Sequence, residues 1–213
     1  MKKRDASERT KSEILTTAAR LFAEKGWDKV NIEDVVKEIG FTRGAFYHHF
    51  KSREDLIYAV IVHTLEVDNP FELVAKETGL NALEKLRRAL RLRLRPQVGL
   101  PVTEAVEETM YEPTVFKGNV FFSLNVIAPC IEALIVEGNA DGSMSVEYPK
   151  QVAHVAALLC NEWLNPIVFQ MTEQDFSDRL SFLEQLGEKL GVPLVNEEVK
   201  DVLRELYEKS KKA

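Results

Sequence analysis

This 213-residue sequence lacks several features that mark whole classes of protein. It has only two cysteines, Cys130 and Cys160, and both lie in apolar helical sequence, which favours buried, reduced thiols over a disulfide framework. No run of eighteen apolar residues occurs, so no membrane span is expected. The charged N-terminus lacks the apolar core of a signal peptide. These absences predict a cytoplasmic protein with no membrane partner.

Residues that carry catalysis or bind metals are not grouped in any recognisable pattern. The sequence has no Gly-rich phosphate loop, no paired carboxylates, and no Ser or Cys nucleophile beside a base. His48 and His49 are adjacent, and neighbouring helix positions point about 100° apart, so the two cannot easily chelate one ion. Cys160 and His154 lie on different faces of a helix. We therefore predict no enzymatic activity, no metal and no cofactor.

The alternation of apolar and polar residues that is typical of β-strands is also missing, and apolar residues recur at helical spacing instead. The sequence predicts an all-α protein of about ten helices, preceded by a disordered basic arm at residues 1–6. The predicted helices cover residues 7–25, 32–39, 43–49, 53–65, 80–95, 103–111, 119–137, 149–171, 173–190 and 197 onward.

Charge is distributed unevenly along the chain, whose net charge is −6. Residues 1–55 carry 12 Lys and Arg against 10 Asp and Glu, while the remainder carries 16 against 24. A neutral-to-basic module on an acidic body suits a protein that contacts DNA at one end only.

The stretch 31–52 has the local signals of two short helices joined by a tight turn. Asn31 is a favoured N-cap residue, and Asp34 three positions later gives a weaker form of the capping box. Gly40 can adopt the left-handed conformation that ends a helix, and Thr42 can cap the next one. Ser52 then caps a third helix. This order of helix, glycine turn and short helix is that of a helix-turn-helix.

The second short helix has the side chains that a major-groove reader needs. Its inner face would hold Phe46 and Phe50, while Arg43 near its N-terminus is suited to a bidentate contact with guanine. Gly44 would let the backbone approach DNA closely. The alternative is that Tyr47 and His49 only pack the small domain. The predicted DNA-binding residues are Thr42, Arg43, Gly44, Ala45, Tyr47, His48, His49 and Lys51, the last four as phosphate contacts.

The segment GFTRGAFYHHFKSREDL, residues 40–56, closely resembles the signature of TetR-type bacterial transcription regulators. The resemblance covers about the first third of the chain. It implies a helix-turn-helix domain at residues 1–66, with its motif at 31–50, and a helical effector-binding and dimerisation domain at 67–213. It also implies that the Tyr47, His49 and Lys51 positions contact the sugar-phosphate backbone. The signature matches at Gly40, Thr42, Arg43, Gly44, Tyr47, His49, Phe50, Lys51, Ser52, Arg53 and Leu56.

In the larger domain, Pro129 and Pro166 are predicted to interrupt long helices amid apolar sequence that contains a few polar residues. Kinked helices with convergent polar groups are one way in which a bundle opens a ligand cavity. The alternative is that the kinks only help the helices to wrap the core. The predicted ligand-binding residues are Met110, Phe121, Asn125, Asn161, Glu162 and Trp163.

The helices at 149–171 and 173–190 have broad apolar faces, and in TetR-like proteins the last two long helices form the dimer interface. The helix from residue 196 onward leaves open which pair does so here. The stripe of Arg87, Arg91 and Arg95 is interpreted as a solvated face, with an anion site or a pairing surface as alternatives. The predicted dimer residues are Val152, Val155, Leu159, Phe176, Leu180 and Leu183.

From these features we expect a homodimeric repressor that binds a palindromic DNA operator and responds to a small-molecule effector. The alternative is a small-molecule carrier or enzyme that keeps a vestigial helix-turn-helix module.

Overall fold

The computed structural model describes residues 2–27, 29–67, 69–94, 113–166 and 168–211. Within these residues every element is helical and no strand occurs, which confirms the predicted all-α class. They form two compact units, the first made of the described residues up to 67 together with 113–115, the second of residues 69–94 and those from 116 onward. The functional division at residues 66 and 67 stays a prediction. The helices are α1 (Lys2–Lys25), α2 (Ile32–Ile39), α3 (Arg43–His49), α4 (Arg53–Val67), α5 (Pro70–Ala75), α6 (Ala82–Leu94), α7 (Pro113–Phe122), α8 (Ala128–Asp141), α9 (Pro149–Leu158), α10 (Glu173–Lys189) and α11 (Glu197–Ser210).

The first unit is a small helical bundle in which α1 packs against α2 and α4. Phe22 of α1 stacks on Trp27 in the following turn, with ring centroids 4.4 Å apart. Arg53 at the start of α4 donates from Nε to the Val30 carbonyl at 3.0 Å and from Nη2 to the Trp27 carbonyl. This side chain therefore ties α4 to the turn that precedes α2, which fixes the helix-turn-helix in place.

The N-terminal arm differs from the sequence prediction. Residues 2–6, expected to be disordered, are part of α1, which begins at Lys2. No glycine or proline lies between Lys2 and Lys25, so nothing in the local sequence ends the helix before its first residues.

Helices α6, α8 and α9 pack together in the second unit, and α5 packs on α6. Helix α7 continues into α8 through a π-helical turn, Ser123–Ile127, and a second π turn, Leu159–Trp163, extends α9. A π turn carries one extra residue and is frequent at functional sites. The first π turn directly precedes Pro129, which has no backbone N–H to donate inside this continuous helix.

Three predicted helix limits were wrong. The helix expected from residue 119 begins at Pro113, and two predicted C-terminal ends also differ. Gly138 does not end its helix, which runs on to Asp141 and stops at Gly142, a residue with φ of 80°. A Cβ on Gly138 would lie 2.3 Å from Met144 Cε, so this glycine allows close packing instead. The helix from Pro149 ends at Trp163 and not near Met171, so Pro166 lies beyond it and kinks nothing.

The continuous helix Val115–Asp141 is long and apolar enough to cross a membrane, with a mean hydropathy of 1.8. The sequence predicts no span here because polar residues interrupt the apolar run. In the second unit Ile127, Ile131 and Ile135 of this helix are buried, and α8 packs against α6 and α9, as the core helix of a bundle does.

Two arginines of α6 contact the C-terminal part of the chain. Arg87 Nη2 donates to the Pro193 carbonyl at 2.5 Å, and Arg91 pairs with Glu198 of α11. Both side chains therefore serve internal contacts and not a solvated face or an anion site. Arg95, the third member of the predicted stripe, lies outside the described residues.

Candidate nucleic-acid interface and ligand cleft

Helices α2 and α3 begin and end where their caps predict. Asn31 Oδ1 accepts from the Asp34 amide at 2.9 Å, and Asp34 Oδ2 accepts from the Asn31 amide at 3.0 Å, which completes the capping box. Gly40 has a φ of 76° and closes α2. Thr42 Oγ1 then accepts from the Ala45 amide at 3.2 Å and starts α3. Each bond satisfies a backbone group that the helix itself leaves unpaired.

The exposed side of α3 carries the residues predicted to meet DNA. Phe46 and Phe50 are each 1% exposed, so they face the core, whereas Tyr47 is 50% exposed. Ala45 and His49 are partly buried. The helix thus divides into an anchored face and a free face, as a recognition helix must. Of the predicted DNA-binding residues, those that are exposed are Thr42, Arg43, Gly44, Tyr47, His48 and Lys51.

Gly44 is not needed for packing within the chain. A Cβ built there would meet only Thr42 Oγ1, at 3.9 Å, which is an ordinary contact. Its backbone does not have the positive φ that favours glycine. Because the fold leaves room for a side chain, the absence of one is consistent with close approach of another molecule.

Arg43, the predicted base reader, is already paired in this structure. Its Nη2 donates to Glu33 Oε1 in the first turn of α2, and both side chains are more than half exposed. Exposed ion pairs contribute about 0–1 kcal/mol, so a guanine edge can replace this partner at little cost. Glu33 is a neighbour that the sequence pattern did not single out.

We expect Glu33→Gln to raise the affinity of the protein for DNA by about two- to tenfold at low salt, because it frees Arg43 and removes a carboxylate that would repel phosphates. Fluorescence anisotropy with a labelled duplex measures this change. Glu24→Gln is the matched control, since Glu24 forms an exposed ion pair with Arg20 of the same helix, α1. If Glu33→Gln lowered the affinity, Glu33 would position Arg43 for binding instead of competing for it.

His49 and Lys51 differ in the way they can meet a phosphate. Partial burial, together with the positive fields of His48 and Lys11, lowers the pKa of His49. At neutral pH its imidazole is therefore uncharged and can offer an N–H bond. The backbone amide of Lys51 donates to Asp55 Oδ2 at 2.9 Å, so only the exposed side chain of Lys51 is available for a phosphate.

A second candidate site lies in the second unit, at a small cleft where the two π turns meet. Ser123 Oγ donates to Glu162 Oε1 at 2.9 Å, and Asn161 Nδ2 donates to Ser123 Oγ at 3.0 Å. Arg93 Nε and Nη2 both donate to Asn161 Oδ1 at 3.3 Å. Arg93 and Asn161 line the cleft, whose empty volume is about 300 Å³ including its open mouth.

The predicted ligand-binding residues are only partly brought together. Asn161 and Glu162 share the polar chain of the cleft, while Met110 lies outside the described residues. Phe121 is 66% exposed, and the Asn125 side chain, also exposed, donates to the Phe121 carbonyl at 2.7 Å. Trp163 packs instead under Arg179 and edge-on to Phe182, with centroids 5.7 Å apart.

The predicted ligand-binding residues include neither Arg93 of α6 nor Ser123 of the first π turn. Arg93 lies three residues after Leu90 and seven after Leu86, so its side chain extends from the same side of α6 as these two buried leucines. That spacing is the signal that could have identified Arg93. The buried residues of α6 are Ala82, Lys85, Leu86, Ala89 and Leu90.

The predicted dimer residues fall into two groups. Val152, Phe176, Leu180 and Leu183 are buried within the subunit, and Phe176 stacks on Tyr207 with centroids 4.4 Å apart. Side chains already buried in this way have no surface left for a partner. Val155 and Leu159 remain accessible, and Phe182, which the sequence prediction omitted, is 52% exposed.

Comparison with known proteins identifies the first unit. Residues 14–60, which include all of α2 and α3, match the family model described as bacterial regulatory proteins, tetR family. The HTH-type transcriptional repressor Rv1474c of Mycobacterium tuberculosis is 42% identical over 48 residues, 22% of this chain and 26% of that protein. KstR2, a transcriptional repressor of Mycolicibacterium smegmatis, is 31% identical over 77 residues, 36% of this chain and 37% of that protein. The chain therefore spans well under two thirds of the length of these relatives.

Solved structures are similar over nearly the whole chain. A TetR-family transcriptional regulator from Pectobacterium atrosepticum matches with a TM-score of 0.57 and 20% identity, over 89% of this chain and 97% of that chain. RolR in complex with resorcinol matches with a TM-score of 0.57 and 18% identity, over 94% and 95%. At such identities the similarity shows a shared fold.

Proposed function

We propose that this chain is a TetR-type transcriptional regulator that represses transcription as a homodimer, binds a palindromic operator and is released by a small-molecule inducer. The observation that carries the DNA-binding part is the exposed face of α3, where Arg43 and Tyr47 project while Phe46 and Phe50 anchor the helix. A single short recognition helix reads few bases. Adequate specificity therefore requires two half-sites and two copies of the chain.

A dimer is supported by the accessible apolar residues of α9 and α10. Val155 and Leu159 are one helical turn apart, as are Phe182 and Leu186, so each pair forms a stripe along its helix. An apolar groove with an empty volume of about 400 Å³ runs between the two helices and includes Val155, Leu159 and Leu186 in its lining. A second copy of the same pair would cover these stripes, as in a four-helix bundle.

Response to a small molecule is supported by the cleft at the π turns. Ligand pockets are mostly apolar with a few convergent polar groups, which describes the surroundings of Arg93 and Asn161. RolR, which shares the fold, was solved with resorcinol bound. An inducer needs only to bind better to a state whose recognition helices are wrongly spaced for successive major grooves.

We expect Arg43→Ala and Lys51→Ala to weaken DNA binding in different ways. Loss of a base contact by Arg43 should relax discrimination at one base pair by about 1–3 kcal/mol. Loss of a phosphate contact by Lys51 should weaken all sequences alike and reduce the salt dependence of binding by about one unit of slope. Both effects are measured by titrating the two variants, at several salt concentrations, with the DNA upstream of the protein's gene and with single-base variants of that DNA.

Lys51→Ala that altered base preference would contradict this division of roles. Wild-type protein with no affinity for upstream DNA at low salt would contradict the repressor function itself. That second result is the one that a carrier or enzyme with a vestigial module would give.

A further inference from the structure

Arg93 combines burial with an unused hydrogen-bonding group. Its Nη1 atom is buried and has no hydrogen-bond partner among the described residues, while Nε and Nη2 both bond to Asn161 Oδ1. Buried polar groups in folded proteins nearly always have a partner, so an orphaned guanidinium nitrogen calls for an explanation. Leaving such a donor unpaired is unfavourable, and more so because the group is charged.

The polar neighbours of Arg93 are already hydrogen-bonded to one another. Bonds run in one direction, from Arg93 to Asn161, from Asn161 to Ser123 and from Ser123 to Glu162. Asn161 and Glu162 lie in one π turn and Ser123 in the other. The chain of bonds therefore fixes the orientation of the guanidinium and leaves Nη1 as its free donor.

The charges in this cluster are not matched in pairs. Burial lowers the pKa of Arg93 to about 10, which still leaves the guanidinium charged at neutral pH. Burial raises the pKa of the Glu162 carboxyl, whose Oε1 accepts a hydrogen bond from Ser123. No carboxylate of the described residues forms an ion pair with Arg93. A buried cation without its own anion is unfavourable, and an anionic ligand would offset that cost.

The cleft next to Arg93 is apolar apart from its polar end. Its empty volume of about 300 Å³ includes the open mouth, so the enclosed part of the cleft is much smaller than this figure. A single cationic group above an apolar wall suits a ligand with one anionic end and a small hydrocarbon body. A phosphate would need more donors than this cleft offers. The apolar lining includes Phe71, Leu90, Ile127, Ile131, Ala156 and Leu194.

We propose that the effector of this protein is a small organic carboxylate, bound by Arg93 Nη1 at its anionic end and by the apolar cleft along its body. The word effector rests on the proposed function, whereas the binding of a carboxylate does not. Because Arg93 contacts both π turns through Asn161 and Ser123, a ligand on Arg93 acts on α7–α8 and on α9 together. This link gives the ligand a route to the helices proposed to form the dimer.

The test uses the full-length protein and three carboxylates, benzoate, phenylacetate and hexanoate, each against its neutral amide. Calorimetry gives the affinity, and the shift in melting temperature gives an independent reading. Arg93→Gln is expected to weaken carboxylate binding by about 10- to 100-fold, because a charged hydrogen bond is lost. Arg93→Lys keeps the charge and should fall between wild type and Arg93→Gln. Arg88→Gln is the matched control, since Arg88 lies on the same helix and pairs with Glu77 near the surface.

Carboxylates that bind wild type better than their amides, with a loss confined to the Arg93 variants, support the proposal. Equal binding of acids and amides, no binding of any carboxylate, or an equal loss in Arg88→Gln overturns it. DNA affinity measured with and without benzoate separates the hypothesis of a carboxylate site from the hypothesis that this site controls DNA binding. Benzoate bound at Arg93 without any change in DNA affinity would retain the site and reject its role as an effector site. Protein that binds benzoate but no DNA would reject the repressor function alone.

Discussion

Replacing Phe50 by alanine should remove about 3–5 kcal/mol from the unfolding free energy of the first unit and abolish DNA binding. Phe50 is 1% exposed and its ring lies 5.5 Å from that of Phe46, at the point where α3 leads into α4. The cavity left by its removal lies directly under the recognition helix. A unit of this size has little stability to spare, so a loss of this magnitude unfolds a large fraction of it.

Urea unfolding followed by circular dichroism, together with hydrogen exchange in α3, measures the loss. Phe121→Ala is the control, because Phe121 is 66% exposed and its truncation leaves no buried cavity. A Phe50→Ala protein that kept wild-type exchange rates in α3 would show that this ring does not hold the helix in place.

Phe182→Glu is expected to weaken the proposed dimer by about 30- to 1000-fold and to lower operator affinity with it. Phe182 is 52% exposed on α10 and touches Trp163 at the end of the second π turn. Aromatic anchors in interfaces contribute about 2–4 kcal/mol, and a buried carboxylate in their place is worse than a cavity. Without the dimer, each half-site is bound alone, which forfeits most of the affinity.

Analytical ultracentrifugation over a range of protein concentrations measures the dimer, and anisotropy measures the operator. Val136→Glu is the matched control, because Val136 is 53% exposed but belongs to α8, which is not one of the two helices proposed to form the dimer. If Val136→Glu dissociated the dimer and Phe182→Glu did not, the interface would lie on a different face of the subunit.

The helix-turn-helix could be predicted in detail because its signals are local. The capping box of Asn31 and Asp34, the left-handed Gly40 and the Thr42 cap each depend on residues within four positions. The orientation of α3 followed as well, since the spacing of Phe46 and Phe50 decides which side is buried. Most helices of the second unit were found in the same way, from apolar periodicity and N-caps such as Asn196.

Contacts between distant parts of the chain could not be predicted. The sequence predicts that Gly138 ends a helix, but Met144 packs against Gly138 and the helix continues. The sequence predicts a dimer interface at Phe176, Leu180 and Leu183, but these side chains are buried in the subunit itself. Apolar periodicity shows that a helix has a buried face and does not show what covers that face.

By itself, the sequence determined the helical class of this protein, the position of the helix-turn-helix and the residues that α3 presents. Each of these follows from side chains only a few positions apart. Only the tertiary structure decided that Arg43 rests against Glu33 and that Arg93 lies buried with an unpaired nitrogen. Burial and charge pairing depend on which helices meet, and residues 93, 123 and 162 come together only when α6 and the two π turns pack.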